Sequence, residues 1–349
     1  MRILIVGDRF IPAAYYADAL AEVCGAGFGP VRCVDWPGVK AEQHAAQQVM
    51  ERQGPDAVAV PDEIVDEVGE AEVLAVHFAP VPSAVLRAAS HLRAVCVARA
   101  GLENVDVATA TARGVAVVPV SGRNATAVAE LAVGLMLAEM RDIARADASV
   151  KAGGWRKEFG RPGREIGDST VGMVGLGQVG RAFAERLRGF GTRMLAYDPY
   201  VPDEVMARHG VVRADDLDLV FRESDVVQVF ARLTVETDRF IGARHLALMK
   251  PTAFFVNTAR SRLVDTRALY EAMAGRRIAG AGLDVHDQEP LPADSAWRRL
   301  DNVTLTTHYA GDTTTTTLRS ARLVAEAVAE LAATGRCTTA VNAGELGWV

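Results

Sequence analysis

The 349-residue chain is short of cysteine, short of aromatics and carries no positive excess of charge. Its four cysteines, Cys24, Cys33, Cys96 and Cys337, are widely spaced and form no C-x-x-C. A chain of this size does not need disulfides, so reduced thiols in a cytosol are the simpler reading, and no metal site is expected. A formal net charge of −6 and a pI near 5.7 argue against nucleic acid or an anionic membrane as the main partner. They leave room for a small anionic substrate, because one arginine can reverse the field in a pocket. No run of about 18 uninterrupted apolar residues occurs, so no membrane span is expected. The opening "MRILIVGDRF" reads as a first buried strand rather than the core of a signal peptide, and the expected location is cytoplasmic.

What the chain does have is apolar content of 50% with 23% charged residues, an ordinary globular balance. Its length exceeds the roughly 250–300 residues at which single cores stop growing, which points to two domains. Short apolar runs recur at Ile3–Val6, Val31–Val34, Ala57–Val60, Val73–Phe78, Ala94–Val97 and Val115–Val118, with helical stretches between them. This alternation predicts a parallel sheet wrapped by helices. Residues 124–152 then read as a long helix or a helix pair. A second alternating series follows, with runs at Thr170–Val174, Arg193–Tyr197, Val226–Phe230, Ala253–Val256, Ile278–Leu283 and Val303–Thr306. The last helix is expected over Thr314–Ala333, where Val324, Val328 and Leu331 recur at helical spacing. Asp312 is the expected N-cap, Gly335 the stop, and the threonine run Thr313–Thr317 its first turn.

"STVGMVGLGQVGRAFAERL" contains Gly175-x-Gly177-x-x-Gly180 between an apolar strand and an amphipathic helix. Such glycines let a chain turn tightly, bring backbone amides to a pyrophosphate and pack helix against strand. The loop residues Gly175, Gly177, Gln178, Val179 and Gly180 are therefore candidate dinucleotide contacts. Asp198, 23 positions after Gly175, ends the next strand in "MLAYDPY". A carboxylate there accepts bonds from ribose hydroxyls and repels a 2′-phosphate, so NAD is favoured over NADP.

Three further stretches sit at the ends of later strands, where ligands bind in open α/β sheets. They are "FFVNTARSRLVD" with Arg260, "GLDVHDQEPL" with Glu289 and "TLTTHYAG" with His308. A hydride exchange between NAD and a 2-hydroxy acid suits these residue types. The substrate carboxylate needs a fork-shaped cation, which arginine provides. The hydroxyl must lose a proton as hydride leaves, and an imidazole suits that task. A carboxylate on the far side of the ring fixes its tautomer.

The motifs "RAGLENVDV", "GRNATAVAELAVGLMLAEMR", "VGLGQVGRAFAERL", "NTARSRLVDTRAL", "AGLDVHDQEPL" and "NVTLTTHYAG" occur in this order from about Arg93 to Asn342. In them the chain resembles the D-isomer-specific 2-hydroxyacid dehydrogenases, a group that includes 3-phosphoglycerate, glyoxylate and D-lactate dehydrogenases. The resemblance implies two doubly wound α/β domains. A discontinuous flavodoxin-like substrate domain would take residues 1–120 and 312–342, and a Rossmann NAD-binding domain 121–311, with the site in the cleft between them. It implies Arg260, Glu289 and His308 as the catalytic trio and a homodimer built through the 124–150 helical region. It also implies NAD contacts at Thr126, Leu233, Thr258, Ala259, Arg260, Asp284, His308 and Gly311. The turn Arg99–Ala100–Gly101 would face substrate together with Arg260 and His308, Arg99 adding charge for a second anion.

Several positions depart from the pattern of that family. Ser261 replaces a glycine, Thr307 a proline, and Ala231-Arg232 a Leu-Pro, while "PGxNA" reads "SGRNA" with Ser121 and Arg123. His286 stands where an aromatic is usual and is read as packing, and His77, at a strand end, as a plain loop histidine with a part in substrate choice as the alternative. These departures bear on the substrate rather than on the reaction. Two other readings are an NAD-sensing, non-catalytic protein like the family's corepressors, and a formate dehydrogenase.

Overall fold

The computed structural model describes residues 1–25, 29–161 and 163–348. It divides into two compact units, Met1–Arg123 with Thr313–Val349, and Asn124–Asp312. In the first unit β1 (Ile3–Gly7), α1 (Ala13–Cys24), β2 (Val31–Asp35), α2 (Lys40–Gln53) and α3 (Asp62–Val68) come first. After them come β3 (Val73–Val76), α4 (Ser83–Ala88), β4 (Ala94–Val97), α5 (Val107–Ala112) and β5 (Ala116–Pro119). The strands form one parallel sheet in the order β2-β1-β3-β4-β5, the flavodoxin-like order.

Side chains alternate across this sheet. Ile3, Ile5, Val73, Ala75 and Cys96 lie in one core with Tyr16 and Leu20 of α1, whereas Leu4, Val6, Leu74, Val76, Val95 and Val97 lie in another. With both faces covered, the central strands read as unbroken apolar runs.

The second unit opens with α6 (Ala125–Met140), α7 (Ile143–Lys151), β6 (Thr170–Val174), α8 (Gln178–Leu187), β7 (Arg193–Tyr197), α9 (Asp203–Arg208) and β8 (Val211–Arg213). It continues with α10 (Leu217–Glu223), β9 (Val226–Val229), α11 (Ala243–Leu248), β10 (Phe254–Asn257), α12 (Thr266–Ala274), β11 (Gly280–Leu283) and β12 (Val303–Leu305). Its seven strands are parallel in the order β12-β11-β10-β9-β6-β7-β8. The order reverses between β6 and β9, so β6 ends at the switch point of a Rossmann sheet. The chain returns to the first unit as α13 (Thr314–Thr334), which Gly335 ends in a left-handed conformation at φ +74°.

The α/β alternation holds, with three local differences from the sequence reading. Ala57–Val60 is not a strand; Pro55 and Pro61 flank it, and it stays half-exposed to exposed. The short elements α3, β8 and α9 escaped the apolar pattern because each buries only one or two side chains. Of the two readings of the 124–152 stretch, the helix pair holds, broken where Asp142 takes φ +52°. Thr313, not Asp312, caps α13. Its hydroxyl accepts a bond from Thr316 N at 3.1 Å, whereas Asp312 N is spent on Tyr309 O at 2.8 Å.

Candidate active site

At the end of β6, Gly175 takes φ +96°, and a Cβ there would stand 2.8 Å from Ala231 N. A Cβ on Gly180 would stand 2.8 Å from Gly175 O, so these two glycines are required by the fold itself. Gly177 differs, because a Cβ there would meet nothing within 4 Å. It is the N-cap of α8, so open space lies over a helix N-terminus whose first residues are Gln178 and Val179. That is the arrangement a pyrophosphate requires. Asp198, beyond the end of β7, accepts Leu176 N at 2.8 Å through Oδ2 and Tyr200 N at 3.0 Å through Oδ1. It braces the loop while keeping lone pairs able to accept further bonds.

On the other side of the switch point, Arg260, Glu289 and His308 follow β10, β11 and β12, three adjacent strands, at their carboxyl ends. Glu289 and His308 meet: His308 Nδ1 lies 2.8 Å from Glu289 Oε2. An ionised carboxylate only accepts, so Nδ1 carries the proton and Nε2 is left to face a ligand. Burial, the largest influence, pushes the Glu289 carboxyl up. The bonds and charge of His308 and the amide of His286 outweigh it, and the net shift is below the usual carboxylate value. Arg260 is exposed, with one guanidinium nitrogen on Ala259 O at 2.8 Å, while Asn257 Nδ2 holds its carbonyl at 2.9 Å.

His308 adopts φ +56°, a left-handed conformation that costs a non-glycine residue on the order of 1 kcal/mol or more and persists only where neighbours hold it. Asp284 does most of the holding. It is fully buried and accepts Thr306 Oγ1 at 2.6 Å, Tyr309 N at 3.3 Å and Ala310 N at 3.1 Å. His286 adds a bond from Nε2 to Thr306 O at 2.8 Å. Reading the sequence alone assigned Asp284 to the cofactor and His286 to packing. Neither clamp was visible there, because both join segments about twenty residues apart. Gly311 likewise serves a different neighbour, for a Cβ on it would stand 2.6 Å from Asn124 Nδ2.

Of the other candidates, Thr258 is buried and its hydroxyl has no partner among the described residues. Ala259 N is tied to Asn257 Oδ1 at 3.0 Å, Leu233 is half-buried, and Thr126 lies in the first turn of α6. The open position over Gly177 and the unpartnered Thr258 hydroxyl both fit a nucleotide at this sheet edge. No group of three or more His, Cys, Asp or Glu side chains that could hold a metal occurs among the described residues.

In the first unit, Arg99 is buried, its guanidinium 3.2 Å from Glu103 and stacked 5.0 Å over Phe78. Its charge is met by protein, and it does not point to solvent. Ala100 is exposed and Gly101 half-buried. His77 is buried, with Nδ1 3.1 Å from Asp8 Oδ2 and Nε2 3.2 Å from an Arg123 nitrogen. Burial lowers its pKa to about 4 against the opposing pull of Asp8, with Arg123 and Arg99 adding to the decrease.

A model of the D-isomer specific 2-hydroxyacid dehydrogenase NAD binding domain matches residues 133–310. The chain belongs to the D-isomer-specific 2-hydroxyacid dehydrogenase family. It is 37% identical over 288 residues to D-3-phosphoglycerate dehydrogenase of Methanocaldococcus jannaschii, covering 81% of this chain and 54% of that protein. It is 39% identical over 256 residues to hydroxypyruvate reductase of Thermotoga maritima, covering 72% and 82%. The solved apo-structure of D-lactate dehydrogenase from Escherichia coli aligns at 26% identity with a TM-score of 0.70, covering 98% of this chain and 100% of that one. The chain spans about half the length of the first phosphoglycerate dehydrogenases it matches. Within the family, β6 to β12 correspond to the NAD-binding domain, and the Gly175–Gly180 loop lies inside the matched span.

Proposed function

We propose that this chain is an NAD-dependent oxidoreductase of small D-2-hydroxy and 2-keto acids. The observation that carries the reading is the Glu289–His308 contact at 2.8 Å, one strand away from Arg260. Arg260 binds the substrate carboxylate through its planar fork. His308 Nε2 takes the hydroxyl proton in oxidation and returns it to the carbonyl oxygen in reduction, while Glu289 stabilises the imidazolium formed. Bound NAD would supply the hydride acceptor or donor at the same carbon, so the hydride and the separate proton that the alcohol loses on oxidation each have a place.

The NAD contacts proposed are Gly175, Gly177, Gln178, Val179, Gly180, Asp198, Leu233, Thr258, Ala259, Arg260, Asp284, His308, Gly311 and Thr126. The turn Arg99–Gly101 is proposed to meet substrate through its backbone, since the Arg99 charge is already paired. By this reading residues 1–120 and 312–342 serve the substrate and 121–311 the cofactor. A homodimer through α6 and α7 is also proposed, supported by the exposed Ile143, Val150 and Trp155. No helix among the described residues is long and apolar enough to cross a membrane. A cytoplasmic location is proposed with it, supported by four unbridged cysteines.

The test is a panel of 2-hydroxy and 2-keto acids, read by nicotinamide absorbance with NAD and NADP in turn. Turnover with NAD supports the reading. Silence across the panel, with NAD still bound, favours the non-catalytic NAD-sensing alternative. Light scattering checks the dimer, which requires about twice the 37.2 kDa chain mass.

A further inference from the structure

We propose that His286 is a positioning residue for the Glu289–His308 pair, a role that rests on the hydroxyacid reading above. It touches Glu289 and the segment that carries His308. Its backbone N donates to Glu289 Oε1 at 3.0 Å, on the carboxylate whose other oxygen holds the His308 ring. Its ring Nε2 lies 2.8 Å from Thr306 O, two residues before His308. A carbonyl oxygen only accepts, so Nε2 bears the proton and the ring donates.

The backbone explains why such a brace is needed. His308 sits at φ +56°, and Thr307 before it does not lock φ as a proline would. The segment is instead held from the side, by Asp284 on Thr306 Oγ1, Tyr309 N and Ala310 N, and by His286 on Thr306 O. Asp284 and His286 thus grip the 306–310 segment at different points, on either side of His308 and at the Thr306 carbonyl before it. A hydrocarbon ring at position 286 fills the space without donating that bond. His286 therefore couples the loop after β11, which carries Glu289, to the segment after β12, which carries His308.

Two variants of the full chain separate this role from packing. His286→Phe keeps a ring of similar bulk beside a cavity of about 290 Å³ that Val285, Leu291 and Trp297 also line, so room for it exists. His286→Gln keeps an amide N–H able to reach Thr306 O. In His286→Phe, kcat falls about 10-fold or more, as misplacement of a reacting group predicts, while KM and NAD affinity stay within about twofold. His286→Gln recovers most of kcat. In ¹⁵N-histidine-labelled wild type, a solvent-protected imidazole N–H signal is present that His286→Phe lacks. Unchanged kcat in the Phe variant, equal losses in both variants, or a loss confined to KM or NAD binding overturns the proposal. Absence of the protected signal overturns it independently of turnover. A wild type that shows the signal but turns over no substrate overturns the hydroxyacid reading instead, and the catalytic role of the brace with it.

Discussion

His308 Nδ1 and Glu289 Oε2 lie 2.8 Å apart although 19 residues separate them in the chain. The contact forms because β11 and β12 are neighbours and end at the same edge of the sheet. Since the Glu289 carboxyl titrates below its ordinary range, the pair is intact above the usual carboxylate pKa. It is lost only as pH falls through the lowered folded value. Activity should therefore not be limited by Glu289 at neutral pH.

Replacing His308 by alanine removes the proposed proton-transfer group and leaves the glycine loop untouched. The expected loss in kcat is about 10²–10⁴-fold. NAD affinity, followed by nicotinamide fluorescence, should change little. An equal loss of NAD binding would make His308 structural.

The loop glycines should separate into two kinds. Gly175→Ala places a Cβ 2.8 Å from Ala231 N at φ +96°, so it should destabilise the protein by about 1–3 kcal/mol and lower the melting temperature of the NAD-free protein. Gly177→Ala has space and an ordinary φ of −68°, so the NAD-free protein should melt normally while NAD binding weakens. Calorimetry with and without NAD distinguishes them, and identical behaviour of the two variants would contradict the assignment.

Asp198→Asn preserves an acceptor for Leu176 N but removes the negative charge. The NAD to NADP ratio of kcat/KM should fall by at least about 10-fold, equivalent to ~1.4 kcal/mol. Selectivity that does not move would remove Asp198 from the ribose site.

His77 predicts acid sensitivity of the first unit. Its folded pKa of about 4 lies below the ordinary value of 6.5, because burial and the nearby Arg123 and Arg99 outweigh Asp8. The unfolded chain therefore binds a proton below about pH 6.5 that the folded chain refuses until about pH 4, and stability falls as pH drops through that window. Asp8, whose pKa is also lowered, adds loss in the same direction at still lower pH. Denaturant unfolding between pH 7 and 4 should show a smaller slope in His77→Asn. Equal slopes would mean the imidazole is not buried as neutral.

How much of this was legible in the sequence varies by element. Long buried strands such as Ile3–Gly7 and Thr170–Val174 announce themselves, because a strand covered on both faces must be apolar throughout. β8 and α3 do not, since an edge strand or a short helix buries too few side chains to leave a pattern. The end of α13 was legible because Gly335 alone tolerates φ +74° cheaply. Its start at Thr314 was legible too, but its cap was misassigned because Asp312 and Thr313 are both competent caps, and only the backbone decides between them.

The same division holds at the site. The amino-acid sequence by itself determined the parallel α/β class and the glycine loop, because periodicity and local motifs are properties of neighbouring residues, and its resemblance to the family pointed to Arg260, Glu289 and His308. Only the tertiary structure decided that Asp284 and His286 hold the His308 segment, that Gly177 opens onto space while Gly175 does not, and that Arg99 is paired. The first two depend on which distant segments lie side by side, and hydrogen bonds across some twenty residues leave no periodic trace in the chain; Arg99 meets Glu103 only four residues on, but only the folded turn sets that pair over Phe78.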